Sequence, residues 1–156
     1  MKKRSGTKDG AKKPPEPVFF TDRDLGKRFP EILREAGFRV VTHHDLFGEA
    51  AVADTKWLHL VGQRGLVVIS HDESQTRRRD EIEALMAGGV RAFYVIGKAP
   101  LEHLALEFVA VKEQVLELIR RRKEPFIAKV YRATDAAPRR VKLFRTMSQM
   151  VKDRRY

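Results

Sequence analysis

The sequence of 156 residues has no cysteine, and its longest hydrophobic runs are far shorter than the roughly 20 residues that a membrane-spanning helix requires. The absence of cysteine excludes disulfides, thiolate metal sites and cysteine nucleophiles, and it fits a reducing cytoplasm. The basic N-terminus lacks the apolar segment of a secretory signal. Hydrophobic residues still make up 42%, which is enough to build the core of one domain. We therefore expect a cytoplasmic protein that does not span a membrane.

Several catalytic signatures are also missing from the chain. The sequence contains no Gly-rich phosphate-binding loop and no Ser, His and Asp in an order typical of nucleophilic catalysis. No motif of these kinds therefore supports another chemistry.

Positive charge is concentrated at the two ends of the chain. The net charge is +11; residues 1–17 carry six Lys or Arg against two acids, and residues 120–156 carry thirteen against three. Residues 18–119 are slightly acidic, with thirteen against sixteen. Nucleic acid is the commonest partner of such basic segments, although solubility or an acidic protein partner would also explain them.

Apolar patterning predicts alternating strands and helices. Runs of buried-strand type occur at 18–21, 38–42, 66–70 and 91–96. Helical spacing and helix-boundary residues predict helices at about 30–36, 54–62, 79–87 and 100–122, of which the last is the longest. This alternation is typical of an α/β fold with a doubly wound parallel sheet.

The same patterns divide the chain into three parts. Residues 1–17 are rich in Lys, Gly and Pro and predict a disordered basic tail, and residues 18–124 predict the α/β domain. Residues 125–156 form a basic C-terminal extension with strand-like stretches at 126–131 and 141–144. These two stretches could join the main sheet, form a separate hairpin or fold only on a partner.

Three aspartates occupy places where the chain passes between a predicted strand and a helix. Asp22 and Asp72 follow apolar runs, and Asp54 opens a helix. Strand ends and the starts of the following helices lie along one edge of a parallel sheet, where ligands bind. Mg²⁺ and Mn²⁺ prefer oxygen ligands, and a bound cation offsets the repulsion between carboxylates. The pattern therefore predicts an acidic metal site that acts on an anionic polymer.

Other residues near these positions have several explanations. Each aspartate could simply cap a helix or form a turn. Asp24 and Glu49 are candidate fourth ligands, and Arg77, Arg78 and Arg79 are candidate contacts for substrate phosphates. Cations at the start of a helix oppose its dipole, which favours a functional role for the arginines.

Two neighbouring histidines, His43 and His44, lie in a polar connection predicted at 43–53. Tandem histidines in such a connection are expected to be solvated and not to bind metal.

The string Phe19-Phe20-Thr21-Asp22-Arg23-Asp24-Leu25-Gly26 resembles the opening of a PIN-like domain. Asp54 before an apolar helix, and the string Val67-Val68-Ile69-Ser70-His71-Asp72, resemble the second and third acidic positions of that family. The similarity covers about 18–97, with 122 as the alternative end. It implies a three-layer α/β/α sandwich with a central, mainly parallel sheet.

The resemblance also implies an activity. PIN-like proteins are commonly ribonucleases that depend on Mg²⁺ or Mn²⁺, and the implied metal ligands here are Asp22, Asp54 and Asp72, which are also the implied catalytic residues. Many bacterial members are toxins of the VapC type, which a small antitoxin protein inhibits and which often form homodimers. RNA, an antitoxin and a second copy are therefore the implied partners.

Two alternatives remain. No clear second aspartate follows Asp72 at the short spacing that the family pattern would suggest, so the first alternative is a non-catalytic PIN-like module that binds nucleic acid or protein. A phosphoacceptor receiver-like domain is the second, and it would need a fifth strand–helix unit.

Overall fold

Short apolar strands alternate with helices throughout the residues that the computed structural model describes, which are 16–50, 52–72 and 79–146. The strands are β1 (Val18–Thr21), β2 (Arg39–Thr42), β3 (Val67–Asp72), β4 (Arg91–Ile96), β5 (Phe126–Tyr131) and β6 (Arg140–Thr146). The helices are α1 (Arg28–Glu35), α2 (His43–Phe47), α3 (Asp54–Gln63), α4 (Arg79–Ala87), α5 (Leu101–Ala110) and α6 (Lys112–Arg121), and a 3-10 helix covers Arg23–Leu25.

All six strands belong to one sheet, in the order β2-β1-β3-β4-β5-β6. The first five are parallel, and β6 is antiparallel to β5. The chain moves outward from β1 to β2 and then crosses back over β1 to β3, so the direction of winding reverses between β1 and β3. Open α/β sheets bind ligands at such a switch point, beyond the carboxyl ends of the strands.

Helices cover both faces of the sheet because successive strand residues face opposite sides. Phe19 belongs to a core that also contains α1, α5 and α6, and within this core the Phe108 ring lies 6.1 Å from the ring of Phe19. Phe20 belongs to a second core with α3 and α4, where its ring lies 5.1 Å from that of Trp57. The α/β/α sandwich with a mainly parallel sheet is thus confirmed. Within the described ranges, no helix is long and apolar enough to cross a membrane.

The helix predicted at 100–122 is divided into α5 and α6 at Val111. Val111 has φ −106° and ψ 22°, and its N–H donates to the carbonyl of Phe108. The residues around the break include no proline or glycine, so the sequence contained no strong signal for it. Both helices still face the same core, through residues such as Leu104 in α5 and Val115 in α6.

The polar connection predicted at 43–53 contains the helix α2. A capping box starts this helix: Thr42 Oγ1 accepts from Asp45 N at 2.9 Å, and Asp45 Oδ2 accepts from Thr42 N at 2.9 Å. The helix turns His43 into the protein, where it is 3% exposed and its ring lies 4.8 Å from that of Phe47. The prediction of a solvated His43 was therefore wrong, whereas His44 is exposed as expected.

Residues 126–146 form a hairpin that is part of the main sheet. β5 pairs with β4 on one side and with β6 on the other, and Phe126 and Ile127 are fully buried. No structural boundary therefore separates 18–124 from the described part of the C-terminal extension. Because β5 is followed by an antiparallel strand and not by a helix, the requirement of a receiver-like domain is not met in the described residues.

Candidate functional site

Asp22 and Asp24 lie at the carboxyl end of β1, beside the end of β3. Thr21 is paired with Ile69, and the N–H of Asp22 donates to the carbonyl of Ile69 at 3.2 Å. The Asp22 side chain then caps the 3-10 helix, because its Oδ1 accepts from Arg23 N at 2.6 Å. This single turn brings Asp24 back toward β3.

A serine in β3 joins the two carboxylates. Ser70 is 4% exposed, and its hydroxyl oxygen lies 3.3 Å from Oδ2 of Asp22 and 3.3 Å from Oδ2 of Asp24. A hydroxyl has one proton and can donate to only one of these oxygens at a time. The N–H of His71 supplies a further, long hydrogen bond of 3.4 Å to Asp24 Oδ2. Two carboxylates so close together repel each other, and a bound cation would offset that repulsion.

The electrostatics of Asp24 agree with this geometry. Burial among protein atoms raises the pKa of Asp24 from 3.8 to about 6, and repulsion from Asp22 adds to the rise. The hydrogen bonds from His71 and Ser70 act in the opposite direction. Asp24 nevertheless keeps an exposed surface, so a cation from solvent can reach it. Carboxyl groups with raised pKa values in a crevice are characteristic of functional sites.

The end of β3 is also fixed to the end of β4. His71 Nε2 lies 2.8 Å from the carbonyl oxygen of Gly97. Because a carbonyl can only accept, Nε2 must carry the proton. Gly97 has φ +115°, a backbone conformation that favours glycine. The contact holds the backbone beside Asp24 in place.

A cavity of about 450 Å³ opens on the β2 side of Asp22. Thr21 lines it, and the hydroxyl oxygen of Thr21 is buried without a hydrogen-bond partner in the part of the chain that the structure describes. Glu49 also lines the cavity, and its carboxylate pairs with His44 Nε2 at 3.0 Å. The cations that line it are Arg23, Lys27 and Arg34. The cavity thus places Asp22, but not Asp24, beside groups that can hold an anion.

The other predicted site residues are only partly described. Asp54 begins α3 and Asp72 ends β3, and for both only the backbone is described. The first turn of α3 lies near the carboxyl edge of the sheet, because Trp57 packs on Phe20, the penultimate residue of β1. The convergence of Asp54 and Asp72 with the Asp22–Asp24 pair stays a prediction.

The predicted arginines lie mostly outside the described residues. Arg77 and Arg78 fall in the gap between 72 and 79, and only the backbone of Arg79 is described, as the first residue of α4. Their contact with substrate phosphates also stays a prediction.

The described donors fit a hard divalent cation. Asp22 and Asp24 supply carboxylate oxygens in one crevice, and Thr21, the residue before Asp22, has a buried hydroxyl without a partner among the described residues. Oxygen donors of this kind suit Mg²⁺ or Mn²⁺. Among the side chains that are described, which do not include those of Asp54 and Asp72, no three His, Cys, Asp or Glu form a metal-binding group. A metal site with three or more protein ligands would therefore need residues whose side chains are not described.

The sequence interpretation missed the role of Ser70. Its signal was the change from the apolar Val67-Val68-Ile69 to the polar Ser70-His71-Asp72 at the carboxyl end of one strand. A small polar residue that is buried at a strand end is a candidate for supporting neighbouring carboxylates.

The raised pKa of Asp24 leads to a prediction about stability. Between pH 3.8 and about 6 the folded protein keeps a proton that the unfolded chain releases, so the contribution of Asp24 to the free energy of unfolding falls as pH rises. Asp24→Asn removes this titration. In the presence of a chelator, we expect the variant to be more stable than wild type above pH 6 and the difference to disappear by about pH 4. Urea unfolding over this pH range measures it; lower stability of the variant at neutral pH would contradict it.

Three comparisons place the chain among known proteins. A family model described as a PIN-like domain matches residues 17–97, just over half of the chain. The protein named "Putative ribonuclease VapC45" of Mycobacterium tuberculosis (strain ATCC 25618 / H37Rv) is 33% identical over an alignment of 81 positions that covers 49% of this chain and 59% of that protein. The chain thus spans about three-fifths of the length of this relative.

A solved 3-dehydroquinate dehydratase-like protein from Bifidobacterium longum is 11% identical, over 68% of this chain and 98% of the other, with a TM-score of 0.39. That score is too low to support a conclusion. The family match is different, because it contains β1–β4 together with the Asp22–Asp24 pair at the switch point. The chain belongs to the PIN-like domain family.

Proposed function

We propose that this protein is a metal-dependent endoribonuclease that hydrolyses phosphodiester bonds in RNA. The observation that carries the proposal is the Asp22–Asp24 pair, held by Ser70 at the β1–β3 switch point. The net charge of +11 suits a polyanionic substrate, and the curated relative is named as a ribonuclease.

In this proposal Asp22 and Asp24 hold Mg²⁺ or Mn²⁺ together with Asp54 and Asp72. When bound, such a cation lowers the pKa of a water molecule and neutralises charge on the phosphodiester. Ser70 keeps the two described carboxylates in one crevice.

The cations near the crevice have a separate role in the proposal. Arg23, Lys27 and Arg34 line the neighbouring cavity and would hold a phosphate group of the substrate. Arg77, Arg78 and Arg79 would contact further phosphates.

The simplest test is cleavage of a labelled single-stranded RNA during titration with Mg²⁺ or Mn²⁺. We expect no cleavage in a chelator, and recovery when either metal is added in excess. Because protons compete with Mg²⁺ or Mn²⁺ for the carboxylates, cleavage at limiting metal should weaken as the pH falls through about 6, and more metal should restore it. Cleavage that persists in the chelator, or no cleavage with either metal, would contradict the proposal.

We also propose that the ribonuclease is a cytoplasmic toxin, that a small antitoxin protein covers the acidic crevice, and that two copies form a homodimer. The support is the PIN-like family membership and the VapC name of the relative. A small protein encoded beside this chain should block RNA cleavage when the two are co-purified. Full cleavage by that complex would exclude the antitoxin, and a monomeric mass by light scattering would exclude the homodimer.

A non-catalytic RNA-binding module is the second candidate, and the basic hairpin of β5 and β6 favours it. The two strands contain Lys129, Arg140, Lys142 and Arg145 and no acidic residue. This candidate predicts salt-dependent RNA binding in a chelator and no cleavage with any metal. Removal of the chain after Arg122 would not test it cleanly, because β5 is part of the core; single substitutions are needed.

A further inference from the structure

We infer that Arg140, held against Tyr131 at the end of the β5–β6 hairpin, stacks on a base of single-stranded RNA beside the acidic crevice. The inference rests on the proposed function, since it takes the same RNA as the substrate. It adds a binding site for RNA nucleotides that flank the phosphodiester bond to be cleaved.

The register of the sheet places this hairpin level with the end of β3. Asp72 is paired with Ile96, Ile96 with Tyr131, and Tyr131 with Arg140. Neighbouring strands are about 4.8 Å apart, so the backbone of Arg140 lies about 14 Å from that of Asp72, and β1, which leads into the Asp22–Asp24 pair, is one strand further, at about 19 Å. A few nucleotides of RNA can span this distance.

Two contacts hold the Arg140 side chain. Its guanidinium carbon lies 4.4 Å from the centroid of the Tyr131 ring, and its NH1 donates to the carbonyl of Pro138 at 3.1 Å. No carboxylate forms an ion pair with Arg140 within the described ranges, and the residue is half-exposed. Because bases stack on guanidinium planes as well as on aromatic rings, a held and half-exposed arginine is suited to this contact.

The adjacent arginine shows the contrast. Arg139 donates from Nε and NH2 to the two carboxylate oxygens of Glu107, at 3.1 and 3.0 Å. Glu107 is 7% exposed and also accepts from Ala133 N at 2.8 Å, and the hydrogen bonds from Arg139 are the main reason that its pKa is lowered. Arg139 and Glu107 thus anchor the hairpin to α5, whereas Arg140 lies on the ring of Tyr131.

The charges beside Arg140 favour a polyanion. Lys142 is exposed on β6, two residues from Arg140. Its cross-strand partner Lys129 is 8% exposed, and Lys129 Nζ lies 3.9 Å from the centroid of the Phe144 ring. Basic residues interleaved with aromatic rings are the pattern by which proteins bind single strands.

The test measures binding of a labelled single-stranded RNA in a chelator, where no cleavage interferes. We expect Arg140→Gln to weaken binding about tenfold, which is the size of one lost base-stacking contact. Arg140→Lys keeps the charge and loses the guanidinium plane, so we expect it to weaken binding nearly as much. Tyr131→Phe keeps the ring and should bind as wild type does.

Arg39→Gln is the matched control, because Arg39 is an exposed strand arginine at the β2 edge of the sheet. It should change the affinity less than about twofold. Duplex RNA of the same sequence is the control for base stacking, and Arg140→Lys should not change its affinity. Melting curves of all variants separate loss of binding from loss of the fold.

The outcomes are distinguishable from those of the proposed function. Wild-type affinity in Arg140→Lys would show that only charge matters, as for an acidic protein partner, and would overturn the inference even if metal-dependent cleavage is found. Loss of binding in both Arg140 variants without cleavage by wild type would support the inference and overturn the proposed ribonuclease activity.

Discussion

Replacement of Asp22 or Asp24 by asparagine is expected to reduce RNA cleavage on the order of 100-fold or more. Each substitution removes a charge that a divalent cation needs and keeps the size and the acceptor oxygen of the side chain. In Asp24→Asn the remaining side-chain oxygen can still accept from Ser70 and from His71 N, so we expect the fold to persist. Cleavage rates at saturating Mn²⁺ and at saturating RNA measure the effect.

The control substitution is in Glu31, which lines the same cavity as Asp22. Glu31→Gln makes the same change of charge in a residue that lines the cavity but pairs with Arg28 at 3.3 Å. We expect this variant to cleave as wild type does. Glu49→Gln tests the other candidate for the additional ligand. The carboxylate of Glu49 already pairs with His44, so we expect this variant to keep its activity. Full activity of both the Asp22 and the Asp24 variants would exclude the proposed site.

Asp54→Asn and Asp72→Asn extend the same assay to the residues whose side chains are not described. If the carboxylates of Asp54 and Asp72 join the Asp22–Asp24 pair at the metal, each variant should lose as much cleavage as the Asp22 and Asp24 variants do and still fold. Full activity of the Asp72 variant would remove Asp72 from the proposed metal site.

The second large effect is expected from Gly62→Ala in α3. A Cβ at Gly62 would lie 1.8 Å from the carbonyl oxygen of Gly88 and 2.8 Å from its carbonyl carbon, at the end of α4. Alanine normally stabilises a helix by about 1 kcal/mol relative to glycine. Here the helices must separate, which costs roughly 1–3 kcal/mol or more and exceeds that gain. We therefore expect the variant to be less stable than wild type.

Urea or thermal unfolding measures this difference. His59→Ala is the control, because His59 is an exposed residue of the same helix and the substitution introduces the same residue. It should leave stability unchanged or slightly higher. A Gly62→Ala protein as stable as wild type would show that α3 and α4 do not approach as closely as the structure has them.

Stability and function are expected to oppose each other at Asp24. The repulsion and burial that raise its pKa to about 6 make the folded protein less stable at neutral pH. The same features favour binding of a cation, since a cation offsets the repulsion. Asp24→Asn should therefore yield a protein that is more stable and inactive.

Local patterns in the sequence determined much of the fold. The limits of β1, α4, β4 and β5 were predicted as the structure has them, because apolar runs and the glycine or proline residues beside them act over a few residues. The same strand ends indicated Asp22 as a site residue and Asp24 as a candidate. Family membership, too, was visible in the strings around Asp22 and Asp72.

Contacts between distant residues decided the rest. Only the pairing of β5 with β4 shows that the basic hairpin belongs to the main sheet. Ser70 joins carboxylates that are more than forty positions away in the chain, and Tyr131 is level with Asp72 because successive strand pairings place it there. Such contacts depend on strand order and register, which local periodicity does not encode, so the chemistry of the crevice became visible only in the folded chain.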